Sequence, residues 1–160
     1  MKNTTKILIK GAIINCGIAT ALINGSIAYF TLVHAISMTS SELLVNFFST
    51  ALGCGVICPF FGGLILKGVA AKNELDFGRK SEQLLAKFVP NNLFLGAIVI
   101  GLLDIFLLWL VPYVVLSVFN IKFTLVRIAW VILLAVYSGV AASIAAYFGM
   151  KRAHYSKKIV

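Results

Sequence analysis

The chain has 160 residues, of which 61% are hydrophobic and only 12% charged, with a formal net charge of +9. Soluble domains average about 25% charged residues, so there is too little polar side chain here to cover a water-facing surface. The apolar fraction excludes a disordered chain and, despite the basic balance, argues against a nucleic-acid-binding domain.

Four apolar stretches, about residues 11–33, 43–66, 93–117 and 124–149, are each long enough to cross a roughly 30 Å hydrocarbon layer as a helix. They hold two of the 19 charged residues, Asp104 and Arg127. Barrel strands would instead show ~10-residue alternating segments between turns. The reading is an all-α integral membrane protein, one domain over residues 1–160, built as a four-transmembrane-helix bundle.

The basic start and Ala19-Thr20-Ala21 imitate a secretory signal with its cleavage site. Hydrophobicity continues to Val33, however, so an uncleaved first helix is expected. Asn15 before Cys16 is wrong for a lipoprotein cysteine. The segment before the first span carries Lys2, Lys6 and Lys10. The connection 67–92 carries Lys67, Lys72, Arg79, Lys80 and Lys87, and the tail carries Lys151, Arg152, Lys157 and Lys158, which places 12 of the 14 cations on one side. Cationic loops resist translocation, so both termini are expected in the cytoplasm, where the cations meet anionic lipid headgroups.

In the first outer loop, Thr39-Ser40-Ser41-Glu42 has the spacing of a capping box and starts the second helix near Ser40. In the inner connection, Leu84, Leu85, Phe88 and Val89 interleave with Lys80, Glu82 and Lys87, the pattern of a short amphipathic helix stopped by Pro90. Asn91 or Asn92 then caps the third span. No sequence repeat relates the two halves of the chain.

Small residues recur at one-turn spacing: Ala12, Cys16, Thr20, Asn24 and Ala28, with Gly17, Ala21 and Gly25, in the first span, and Ser138, Ala142 and Ala146 beside Ala141, Ala145 and Gly149 in the fourth. Such faces let membrane helices approach closely, within a bundle, in a homodimer or against another membrane protein. Tyr29, Phe30, Trp109, Tyr113 and Phe119 fall toward the outer boundary as interface anchors.

Asp104 is the residue on which function centres. It lies 11 positions from Leu93 and 13 from Ser117, roughly 17–20 Å from either boundary at 1.5 Å per residue. An acidic side chain at that depth costs at least about 2.5 kcal/mol and is by default a functional candidate. Arg127 sits near the outer boundary, too far along the axis to pair with it. Asn24, Cys54 and Ser138 or Tyr137 fall at the same depth as Asp104, so these residues define a candidate substrate- or ion-binding layer. In the second span, Gly53, Gly55, Pro59, Gly62 and Gly63 crowd into eleven positions. Pro59 removes a donor from the carbonyl of Gly55, so Gly55, Pro59, Gly62 and Gly63 form a candidate hinge or helix break.

No hydrolase, metalloprotease or nucleotide-binding motif occurs, and no cofactor is implied. Cys54 and Cys58, without a neighbouring His or further Cys, make a poor zinc site, and no metal ligand set is assigned. Two functions remain. One is a transporter or channel of a bacterial-type inner (plasma) membrane that works through the Asp104 layer. The other is a non-transporting membrane partner, such as an immunity, assembly or regulatory subunit, that acts through helix packing.

Overall fold

The computed structural model describes residues 6, 9–32, 36–70, 89–90 and 92–157. Four helices are long and apolar enough to cross a membrane, with spans Gly11–Thr31, Ser40–Gly63, Phe94–Val118 and Arg127–Lys151. The first helix, α1, runs as a π-helical Gly11–Ile18 and an α-helical Ala19–Thr31. Helix α2 is Ser40–Ala70. Helix α3 is α-helical over Leu93–Ile105, π-helical over Phe106–Leu110 and α-helical again over Val111–Val118. Helix α4 is Arg127–Lys157.

The local signals explain where these helices begin. Glu42 Oε2 accepts from the Thr39 amide at 2.7 Å and from the Thr39 hydroxyl at 2.8 Å, which closes the first turn of α2 at Ser40. Asn92 Oδ1 accepts from the amides of Phe94 (2.9 Å) and Leu95 (3.4 Å), so the third span is capped by Asn92. Val89 and Pro90 are described, but the rest of the proposed amphipathic segment lies outside the described residues.

The structure corrects four expectations. Strands are present: β1 (Ser37–Thr39) and β2 (Thr124–Val126) pair antiparallel, with Met38 opposite Leu125. This ribbon ties the 1–2 and 3–4 connections together at one end of the bundle, and it delays the start of α4 from residue 124 to Arg127. Helix α1 ends at Thr31, short of residue 33. Helix α2 is continuous through Pro59 and has no break. Two glycines of the candidate hinge, Gly55 and Gly62, lie in close packing contacts. A Cβ on Gly55 would stand 2.9 Å from Gly101 Cα, and one on Gly62 would stand 2.8 Å from the Ala146 carbonyl oxygen. Gly149 likewise packs directly on Pro59.

Helix α4 is the hub of the bundle. It packs along both α1 and α2, α3 lies chiefly on α2, and α1 meets α2 only lightly. Ala141, Ala142, Ala145 and Ala146 are completely buried, and the backbone of Gly139 approaches that of Gly17. Near the ribbon end, a second cluster gathers Ala28, Leu43, Phe47, Trp130 and Leu134. Large apolar side chains point outward instead, with Leu22 67%, Leu102 62% and Ile128 69% exposed. Small residues inside and large apolar residues outside is the arrangement expected of helices solvated by lipid.

Because Gly55 and Gly101 touch through their backbones, Gly55→Val is expected to destabilise the folded protein by about 1–3 kcal/mol through overpacking. A Cβ on Gly53 meets nothing within 4 Å, so Gly53→Ala is expected to be neutral or to stabilise by roughly 0.5–1 kcal/mol. Thermal unfolding in detergent micelles checks the pair. Equal behaviour of the two variants would contradict this packing.

Candidate functional site

The inward stripe of α3 runs Ala97, Ile100, Gly101 and Asp104, all buried at helical spacing. The Gly55–Gly101 contact presses this stripe onto α2, so that a Cβ on Gly55 would lie 3.2 Å from Asp104 Cβ. Asp104 is therefore lodged beside the α2 backbone, only 3% exposed. Neither of its carboxyl oxygens has a hydrogen-bond partner. A buried polar group left this way costs on the order of 1–3 kcal/mol, and more if it is charged. Such a group calls for an explanation.

Its surroundings are sulfur and hydroxyl groups. Cys54 and Cys58, one turn apart on α2, are both buried with free thiols. Asn24 of α1 lies near Cys54, and Thr20, one turn earlier, lies near Cys58, across the same groove. These two rungs have the register of antiparallel helices. Asp104 lies within electrostatic range of Cys54, Cys58 and Tyr137, and Cys16 lies within range of Cys58.

Where α1 and α2 diverge, a groove of about 470 Å³ opens between them. Its polar lining is Thr20, Asn24, Ser49, Thr50, Cys54 and Cys58. Asp104 stands behind the cysteine wall and is not part of the lining. On α2 the lining residues 49, 50, 53, 54, 57 and 58 repeat as one helical face.

The structure thus brings together Asn24, Cys54, Asp104 and Tyr137 from the layer read in the sequence, with two differences. Asn24 lies beside Cys54 in the groove and makes no hydrogen bond to Asp104. Ser138 is fully buried and donates to the carbonyl of Ala135 in its own helix at 3.0 Å, so it contributes nothing to the group around Asp104. Arg127 donates to the carbonyl of Tyr29 at 2.7 Å and stacks over the Tyr29 ring, tying the start of α4 to the end of α1. Thr20, Cys58, Ser49 and Thr50 were not singled out as site residues. Their signal was the shared helical phase of 20 with 24 and of 49 and 50 with 54 and 58.

Tyr137 is set by a proline. Pro112 has no N–H to offer the Leu108 carbonyl one turn before it, and the Tyr137 hydroxyl donates there instead at 3.1 Å, with Phe47 O at 3.2 Å. The Tyr137 ring stacks on Phe47 at 3.8 Å between centroids. The π-helical turn Phe106–Leu110 falls between Asp104 and Pro112, and such wide turns concentrate at functional sites. On the same flank Trp109 Nε1 donates to Leu44 O at 2.9 Å.

Among the described residues no three His, Cys, Asp or Glu side chains converge as a metal-ion cluster. The chain matches no protein-family model, no curated protein sequence and no solved structure.

Tyr137→Phe is expected to cost about 1 kcal/mol of stability by leaving the Leu108 carbonyl unpaired. In a Pro112→Ala background, where residue 112 regains its amide, the same change is expected to cost less than half as much. A double-mutant cycle of unfolding free energies measures this coupling. A coupling of zero would mean that the tyrosine does not substitute for the missing amide.

Proposed function

We propose that this chain is a small multi-pass transporter or channel of a bacterial-type inner membrane, with both termini cytoplasmic and Asp104 at the centre of a proton- or cation-binding site. The observation that carries this reading is the Asp104 carboxyl, buried among three helices with both oxygens unpartnered. Polypeptides keep an ionisable group at such a depth where it binds something that compensates it. The α1–α2 groove supports the reading because it leads polar side chains down to the thiols beside Asp104. The distribution of cations supports the orientation, since Lys122 and Arg127 alone belong to the ribbon end.

In the mechanism that follows, a proton or cation enters by the groove, displaces the contacts among Asn24, Cys54 and Cys58, and is compensated by Asp104. Alternate exposure of the site requires movement of α1 relative to α2, which touch far less than either touches α4. Helix α4 stays fixed against both.

One observation favours a second reading, a membrane partner protein acting through packing alone. Asp104 lies behind the groove wall and is as buried as a purely structural residue. Flux through proteoliposomes separates the two. Wild type is expected to pass protons or monovalent cations, and Asp104→Asn, folded as judged by its thermal transition, is expected to lose at least about 100-fold of that flux. Undiminished flux in Asp104→Asn, or no flux in wild type, would select the partner reading.

A further inference from the structure

The paired thiols facing the groove are not accounted for by a proton or alkali-cation site. We propose that Cys54 and Cys58 bind a monovalent thiophilic cation of the Cu(I)/Ag(I) class, admitted through the α1–α2 groove. The inference rests on reading the Asp104 layer as a ligand site, and it names the class of ligand.

Four observations carry it. First, the two thiols sit one turn apart on one helix face and both line the groove. Side chains at that spacing have Cβ atoms about 5–6 Å apart. Two metal–sulfur bonds of about 2.3 Å placed in line span about 4.6 Å, so one cation fits between the sulfurs with little movement of the backbone. Second, the donor set suits a soft ion of low coordination number. Thiolates select Cu(I), whereas zinc asks for four ligands in a tetrahedron, and no set of three His, Cys, Asp or Glu converges among the described residues. Third, Asn24 and Thr20 of α1 line the same groove across from the two cysteines, so polar groups flank the way in to the sulfurs. Fourth, Asp104 of α3 is buried against the same turn of α2, beside Gly55, with two oxygens that no protein group satisfies, so an arriving cation meets a further acceptor behind the thiols. A merely structural pair of packed cysteines has no need of such a neighbour.

The chemistry balances without any change of oxidation state. Each S–H bond is exchanged for an S–metal bond, so one cation binds and two protons leave to solvent, and the two thiolates with their cation carry one net negative charge. Cys16, on α1 near Cys58, lies outside the groove lining and is not a ligand.

The test uses the full chain, reduced, desalted and held anaerobically in detergent, and titrated with Cu(I) against a colorimetric Cu(I) chelator. The expected result is one Cu(I) per chain with release of two protons. Cys54→Ser and Cys58→Ser are each expected to weaken binding at least about 100-fold, and Cys16→Ser less than about 3-fold. Asp104→Asn is expected to leave the stoichiometry unchanged and not to weaken binding, because a carboxylate beside two thiolates and one cation adds like charge to an already anionic group. Alanine variants at 54 and 58, with thermal transitions recorded for every variant, separate ligand loss from misfolding. Wild type that fails to compete with the chelator, serine variants that bind like wild type, or tighter binding of Zn(II) than of Cu(I) would overturn the proposal. If Cu(I) does not bind while Asp104→Asn still abolishes flux, the thiol inference fails and the transport reading stands. Thiol-dependent binding with a flux indifferent to Asp104 would separate the two in the opposite sense.

Discussion

The whole arrangement depends on how closely α4 approaches its neighbours. Lipid gives apolar helices no hydrophobic reason to associate, so contact must come from van der Waals packing over matched surfaces. Helix α4 supplies that surface twice, with Gly139 against Gly17 of α1, and Ala146 and Gly149 against Gly62 and Pro59 of α2. A helix held on both flanks in this way keeps those two neighbours apart. The groove between α1 and α2 is the geometric consequence of α4 lying between them, and Thr20, Asn24, Ser49, Thr50, Cys54 and Cys58 line it.

The second consequence concerns backbone polar groups, which in hydrocarbon must be satisfied inside the protein. Two prolines interrupt the ladders and are handled differently. Pro59 stays inside a continuous helix and packs on Gly149, while the Gly55 carbonyl it leaves behind abuts Gly101. Pro112 leaves the Leu108 carbonyl to Tyr137. Both repairs draw α3 and α4 toward the level of Asp104, so the parts of the structure that deal with missing amides also wall in the one deep acid. Asp104 itself receives no comparable repair. Among the described residues, its two carboxyl oxygens are left buried without a hydrogen-bond partner, as is the Nε1 of Trp130.

Much of this was legible in the sequence because it depended on local rules. Helix number followed from run length, the start of α2 from Thr39 and Glu42, and the start of α3 from Asn92. The depth of Asp104, Asn24 and Cys54 followed from counting residues inward from charged boundaries. What could not be read was set by contacts distant in sequence. The ribbon joins residues 37–39 to residues 124–126, and neither segment alternates long enough to announce a strand. Crowded glycines in α2 suggested a break, but glycine weakens a helix only when nothing packs against it, and here backbones of α3 and α4 do. Depth also leaves rotation about the helix axis undetermined. Ser138 lies at the expected level yet bonds to its own helix, and Asn24 lies beside Cys54 and makes no hydrogen bond to Asp104.

If the groove between α1 and α2 is the way in to the site, the sulfurs of Cys54 and Cys58 that line it are open to small reagents from water. Thiol accessibility measures it most directly. In a Cys16→Ser background reconstituted in liposomes, a small charged methanethiosulfonate reagent is expected to modify Cys54 and Cys58, and Asn24→Trp is expected to block the reaction by filling the groove. Thiols that react only after the protein is unfolded would contradict the account.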